Sequence, residues 1–536
     1  MKSILKSKTY LYMTEFFAGM SVMAVELAAS RFLAPYFSSS QIVYTIIIGT
    51  VMIAMALGNI YGGRTADKNP DPAILYRRML IAAAWIAAIP FAGRYLIIGI
   101  SGLLVLTVNT GFLIIAAFVS CMVIFVYPLF LLGTVTPSLV RYIMESTEES
   151  GEIVGRLGAA NTVGSIIGTF LPTFVTIPAV GTAVTFIIFS GILFIIAALY
   201  FASVKKLTRT LVITLIVFIL CTVFGAHSAF AFWEDDLMYE GESVYNYLQV
   251  KDEGDRVILS TNVLFGVQSV KMKTDGFTGM YYDYAIAGAA MADAAKGEGG
   301  LDVLILGNGT GTFATQCARY FNCSSIDAVE IDGKISSLAY EYFDMSPELE
   351  LYEYDGRAFL QAVDKKYDVI LVDAYQDITI PFQMSSTEFF TMVREHLTDG
   401  GVMIVNMNMH SDGEGAINEY LADTILSVFP NVYTADVAAN SNRELFACVS
   451  GDCAELLDSA KDSADYDAQL RGQLSRVSAK LVRYGDTGET CILTDDKAPV
   501  EVLGMSMIDS LITEEVAYYQ AMYREKGLRG IIDELL

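Results

Sequence analysis

Residues 1–232 carry one long apolar stretch after another, more than a soluble core of this length accounts for. A segment of about 20 apolar residues spans the roughly 30 Å hydrocarbon layer of a bilayer. Seven such segments are expected, at about 11–33, 41–62, 78–100, 109–135, 158–178, 183–203 and 210–231. In lipid each backbone polar group must be satisfied within its own segment, so the segments are helices. Glu15 and Glu26 interrupt the first, which is also too long for a cleaved signal peptide. The sequence thus predicts a multi-pass α-helical membrane domain over 1–232, with the lipid bilayer as its partner.

Short-loop charges set the orientation. Lys2, Lys6 and Lys8, then Arg64, Lys68, Arg77 and Arg78, then Arg141 and Arg156, then Lys205, Lys206 and Arg209 all fall on one side. The Lys/Arg bias makes that side cytoplasmic. The N-terminus is then cytoplasmic, and after seven spans the remaining chain emerges on the extracytoplasmic face of the cell membrane. Within the spans Glu15, Glu26, Arg31, Asn59, Asn109 and Asn161 are candidates for function, since polar groups are costly in lipid. Glu26 and Arg31 lie little more than one helical turn apart. Small residues recur over Gly155–Gly168, which lets helices pack closely.

Charge changes at the same boundary. Residues 1–232 carry a net +6 and the rest a net −31, within a chain of 536 residues and net charge −25. An acidic half repels nucleic acid and attracts cationic partners such as small amines, unless the excess serves solubility alone. The seven cysteines form no C-x-x-C, so no metal site is expected. A Cys448–Cys453 or Cys317–Cys323 bridge requires an oxidising compartment, and free thiols are the expectation.

The acidic half reads in three parts. Residues 233–300 hold short alternating runs (YNYLQV, DRVILS, GVQSVKM), a small N-terminal antiparallel β cap, and then a connecting helix over 281–295. Residues 301–452 alternate strand and helix as a Rossmann-like α/β domain. Residues 453–536 form a helical tail packing on that domain. In the central part LDVLILG is a buried strand leading into Gly307, Gly309, Thr310 and Gly311 and then a helix. Such a turn brings backbone N–H groups close to a ligand. The strand SSIDAVEID ends in Glu330 and Asp332, and Glu330 lies 21 residues beyond Gly309, where a carboxylate accepts ribose hydroxyls. LELYEYD ends at Asp355 and Gly356, placed to meet an adenine edge. YDVILVDA ends at Asp373, with Tyr375 and Asp377 after it. Carboxyl ends of strands are where open α/β sheets bind ligands.

These motifs resemble the spermidine synthase family, in its membrane-fused, transporter-like form. The resemblance covers nearly the whole chain, through FFAGMSVMAVELAASRFLAPYF, LGNGTGTFA, AVEID, DGRAFL, YDVILVDAYQDITIP and TDDKAPVE. It implies a class I methyltransferase-type fold and an aminopropyltransferase that uses S-adenosylmethionine or its decarboxylated form. Gly307, Gly309, Thr310 and Gly311 would shape the cofactor loop, Glu330 and Asp332 the ribose side, and Asp355 and Gly356 the adenine side. Asp373, with Tyr375 and Asp377, would deprotonate the attacking amine, and Gln268, Tyr282 and Asp283 would line its pocket. Asp495, Asp496 and Glu501 resemble a segment that closes over the site.

The sequence departs from the family at three points. Thr310 replaces an aspartate of the glycine loop, Asp283-Tyr284 replaces His-Glu, and Asp377 lies four rather than three residues after Asp373. Aminopropyl transfer to an amine is therefore weighed against methyl transfer to an amine, peptide or envelope acceptor, and against a cofactor-sensing transporter without catalysis. A homodimer is left open.

Overall fold

A computed structural model describes residues 7–526 apart from 38, 106, 109–110, 145–149, 207, 227–228, 235, 264–266, 347–348, 375–379, 409–415, 439–441, 486–491, 505–512, 514–515 and 519. The chain divides into two compact units. One comprises Met1–Asp235, Gly241–Tyr247 and Ile512–Leu536; the other comprises Asp236–Glu240 and Leu248–Leu511. The β cap, the Rossmann-like part and most of the tail, read as separate segments from the sequence, thus share one unit.

In the first unit five helices among the described residues are long and apolar enough to cross a membrane: Lys8–Phe37, Gln41–Lys68, Pro72–Val105, Phe112–Ile143 and Gly151–Ser203. The count differs from seven for physical reasons. Segments 158–178 and 183–203 are two arms of the 53-residue helix Gly151–Ser203. At 1.5 Å per residue that helix would run about 80 Å, more than twice the hydrocarbon thickness. Its arms meet at Gly181, where φ is 79° and ψ 170°. The last expected segment falls on Arg209–Gly225, an apolar helix whose 17 residues lie at the lower limit for a span.

Of the glycines in 155–168, Gly164 and Gly168 pack closely as their spacing suggests, whereas Gly155 and Gly158 face open space. A Cβ on Gly164 would lie 2.0 Å from the Phe16 carbonyl oxygen, so the first helix and Gly151–Ser203 pack backbone to backbone. Against this contact Glu15 is fully buried, and its Oε1 accepts from Thr136 Oγ1 (2.6 Å) and Asn161 Nδ2 (2.7 Å). Arg31 donates to the carbonyls of Tyr245 and Ser243.

The second unit holds two sheets. Strands β1 (Leu237–Glu242), β2 (Tyr247–Asp252), β3 (Arg256–Ser260) and β4 (Ser269–Met272) lie in that order, with β2–β3 and β3–β4 antiparallel. The larger sheet contains β5 (Leu301–Leu306), β6 (Cys323–Glu330), β7 (Glu350–Glu353), β8 (Tyr367–Val372), β9 (Leu397–Met407), β10 (Asn431–Asp436), β11 (Arg443–Cys448) and β12 (Val482–Arg483). Its order is β12-β10-β11-β9-β8-β5-β6-β7. β5 to β9 are parallel neighbours, whereas β11 runs antiparallel to β9 and to β10. The chain runs outward from β5 through β6 to β7 and then returns to β8 on the other side of β5. That reversal opens a crevice at the carboxyl ends of β5 and β8.

The parallel strands read as continuous apolar runs because both faces are covered. Helix Tyr282–Lys296 lies on one face with Ile404 and Phe446, and helix Thr387–Glu395 supplies Phe389 and Phe390 to the other. Cys448 and Cys453 are joined by a disulfide, in place of the expected free thiols. Cys317 and Cys323 are free, and Cys491 lies outside the described residues.

Candidate active site

The turn after β5 is built for close approach. Gly307 has φ +94°, and a Cβ there would stand 2.4 Å from the Asp373 carbonyl oxygen, so only glycine lets β5 and β8 exit side by side. The N–H groups of Gly307 and Asn308 both donate to the Val329 carbonyl, pinning the turn to the end of β6. Gly309 N then donates to Glu330 Oε2 (2.9 Å), and Asp332 N donates to Oε1 (3.0 Å). Burial pushes the Glu330 carboxyl up to about 7, against the pull of those two backbone donors.

Two polar atoms of this turn are left over. Asn308 Oδ1 and Thr310 Oγ1 are buried without a hydrogen-bond partner among the described residues. Buried polar groups are nearly always paired, so an orphaned carbonyl and hydroxyl beside a glycine cradle fit a polar ligand. Helix Thr312–Tyr320 begins at Gly311, where φ is +83°, and directs its free N–H groups toward the same place. The donor set thus suits the adenosyl cofactor that the motifs imply.

The acids at the next two strand ends cap helices. Asp332 accepts from Lys334 N (3.0 Å) at the start of helix Gly333–Tyr342, and Asp355 accepts from Ala358 N (2.8 Å) at the start of helix Gly356–Ala362. Gly356 lies against β5, where a Cβ would come 3.5 Å from that of Leu306. Arg357 next to it makes a bidentate pair with Asp495, whose carboxylate also accepts from Ser386 Oγ. This holds the TDDKAPVE segment to the adenine-side motif.

Asp373, directly after β8, lies at the centre of a hydrogen-bonded cluster. Its Oδ2 accepts from Tyr281 Oη (2.6 Å) and its Oδ1 from Asn406 Nδ2 (2.8 Å). Asn406 Oδ1 in turn accepts from Asn442 Nδ2 (2.8 Å). Desolvation raises the Asp373 carboxyl to about 7, partly offset by the two donors. The Tyr281 phenol is pushed far above its ordinary range, first by burial and then by the Asp373 charge, so it stays a donor.

Tyr282 and Asp283, expected to line the amine pocket, both make hydrogen bonds of their own. The Tyr282 hydroxyl donates to the Gln268 carbonyl, and its ring lies 4.0 Å from that of Tyr281, whose hydroxyl bonds the acid. Asp283 is engaged within its own region, accepting from Gly279 N (2.6 Å), Thr278 Oγ1 (3.2 Å) and Gln316 Nε2 (2.8 Å). It closes the turn ahead of its helix. Gln268 is positioned through its main chain, donating from N to the Leu259 carbonyl. Tyr375 and Asp377 lie outside the described residues.

Three residues escaped the sequence reading: Tyr281, Asn406 and Glu444. Glu444 left a signal, being an acid inside the apolar run ELFACVS. It is fully buried, pairs with Asn406 across β11 and β9, and has both carboxylate oxygens unpartnered among the described residues. Burial, then the nearby Asp373 charge, raises its carboxyl well above the usual range.

Comparison with known proteins places this site in context. Residues 280–466 match the family model described as the spermine/spermidine synthase domain. The chain is 51% identical over 351 residues to a Bifidobacterium longum protein named "Probable polyamine aminopropyl transferase", covering 62% of this chain and 77% of that one. It is 27% identical over 241 residues to the polyamine aminopropyltransferase of Vibrio vulnificus, covering 44% and 77%. Among solved structures, spermidine synthase from Thermotoga maritima aligns at 16% identity with a TM-score of 0.33, over 53% of this chain and 88% of that one.

Proposed function

Because the chain belongs to the polyamine aminopropyltransferase family, we propose that it transfers an aminopropyl group from decarboxylated S-adenosylmethionine to a primary amine, with Asp373 as the base. The observation that carries this reading is the Asp373 cluster. A buried carboxyl near 7, fixed by Tyr281 and Asn406, has the proton affinity a base needs at neutral pH.

An alkylammonium titrates at about 10.4 by analogy with Lys, so it must lose a proton before it can attack. Asp373 takes that proton, while its charge draws the cation into the crevice. The bound sulfonium supplies an electrophilic methylene. The amine nitrogen bonds to that carbon as the C–S bond breaks, and the bonding pair goes to sulfur, giving neutral methylthioadenosine. Gly307, Gly309 and Gly311 hold the nucleoside against the ends of β5 and β6, beside Glu330. Holding both partners in line supplies much of the acceleration.

One observation favours a second reading. The buried Thr310 hydroxyl stands where the family has an acid, and a neutral donor tolerates the carboxylate of intact S-adenosylmethionine. Methyl transfer would follow. The two readings separate in one assay on the full chain in detergent, with each cofactor offered alongside putrescine, spermidine or an envelope extract. Methylthioadenosine release supports the first reading, and adenosylhomocysteine the second. Asp373→Asn should abolish turnover with little loss of cofactor affinity; surviving turnover would remove Asp373 from the chemistry.

The enzyme is held in the cell membrane by its apolar helices; the short-loop charges put the N-terminus in the cytoplasm, and the catalytic unit is extracytoplasmic if Arg209–Gly225 completes an odd number of crossings. A reporter fused after Leu536 tests the side: a reporter active only in the cytoplasm would reverse the assignment.

A further inference from the structure

Glu444 has no place in the chemistry above, yet it lies beside the base. In an antiparallel pair, directly opposed residues share a face of the sheet. Glu444 opposes Asn406, so it stands on the face from which Asn406 reaches Asp373. No part of its side chain meets solvent, and neither oxygen finds a donor among the described residues. An acid in such a setting is costly unless a cation or a proton joins it. A fold that needed only packing would place a leucine there.

The surroundings define the ligand. Asp373 already takes two donors, from Tyr281 and Asn406, whereas neither Glu444 oxygen has a partner among the described residues. No group of three or more metal-ligating His, Cys, Asp or Glu side chains occurs among the described residues. The lone pairs of two carboxylates instead match a compact group with several N–H donors and a single positive charge.

We propose that Glu444 and Asp373 form a two-carboxylate subsite for an alkylammonium group of the amine substrate, with Glu444 in direct contact with the cation. This deepens the aminopropyltransferase reading and rests on it for the identity of the amine. In the empty site burial, and then repulsion from Asp373, disfavours the ionised form of Glu444 until a cation enters. The subsite selects for charge, so a neutral alcohol of equal length should be refused.

The test is putrescine binding by calorimetry on the full chain in detergent, which needs no turnover. Glu444→Gln keeps the shape and removes the charge; it should raise the Kd for putrescine at least ~10-fold, as expected for loss of a charged hydrogen bond. Its Kd for methylthioadenosine should stay within about twofold, a change of under about half a kcal/mol. Glu444→Asp keeps the charge and should bind putrescine more tightly than Glu444→Gln. Equal putrescine affinity in the unaltered chain and Glu444→Gln would overturn the proposal, as would equal affinities of the Gln and Asp variants or no putrescine binding by the unaltered chain. Putrescine binding without methylthioadenosine release would instead remove the aminopropyl reading and leave the subsite standing.

Discussion

Replacing Tyr281 by Phe removes one hydroxyl and leaves the ring that fills the site, so the effect falls on the Asp373 charge. The 2.6 Å phenol–carboxylate bond stabilises the ionised acid. A hydrogen bond to a charged group contributes about 1.5–3 kcal/mol, and one pKa unit corresponds to about 1.4 kcal/mol. Its loss should therefore move the acidic limb of the rate profile up by roughly 1–2 units. With Asp373 near 7 in the intact site, about half of it is ionised at neutral pH. After the change a tenth or less would be, so kcat/KM for the amine should fall roughly 5- to 50-fold at neutral pH. The deficit should shrink in alkali as the acid ionises again. The assay is methylthioadenosine release against pH with the cofactor saturating. Amine protonation is common to both enzymes and cancels in their ratio. Tyr433→Phe, which loses a bond to Asp452 instead, is the control and should leave the limb in place. An unmoved limb in Tyr281→Phe, or an equal loss at every pH, would refute the reasoning.

Further outcomes follow from the same geometry. Gly307→Ala should cost about 2–5 kcal/mol, from a positive φ and from contact with the Asp373 backbone, read as a lowered thermal midpoint together with lost turnover. Glu330 sets a pH dependence of stability. Its folded pKa of about 7 lies above the ordinary 4.5, so between those values the native state holds a proton that the unfolded chain releases. Stability should therefore fall as pH rises through that window, by about 3 kcal/mol, and level off above it. In Glu330→Gln the melting temperature should decline less over that range, leaving the comparable share due to Asp373. Asp495→Asn should weaken the pair with Arg357, making the 493–503 segment more sensitive to protease and raising KM for the cofactor, with the protein still folded.

The strand ends were legible because parallel strands advertise themselves. LDVLIL and YDVILV are unbroken apolar runs, and each stops where the backbone meets the crevice, at Gly307 and Asp373. The membrane helices were legible by length but not by count. The break at Gly181 bends one 53-residue helix, and hydropathy alone cannot tell a bend from a loop. Side-chain roles were harder still. Tyr281 and Tyr282 are adjacent with ring centroids 4.0 Å apart, yet one hydroxyl bonds Asp373 and the other the Gln268 carbonyl. Which one meets the acid depends on how the helix is seated on the sheet. Asp283 looks like a pocket acid until the Gly279 N–H is seen to claim it. Glu444 and Asn406 are 38 positions apart, and only the antiparallel register of β11 on β9 brings them together.

The bridge between Cys448 and Cys453 spans the end of β11 and the start of helix Cys453–Lys461. Cytosolic thiol buffers keep such pairs reduced, whereas the cell exterior lets them oxidise. The pair is therefore a chemical archive of where the catalytic unit matured. Quenching cells in acid, alkylating free thiols and weighing the peptide would read that archive directly. An unlabelled pair records passage across the membrane, and a doubly labelled pair records a domain that stayed with the cytoplasmic supply of its sulfonium donor.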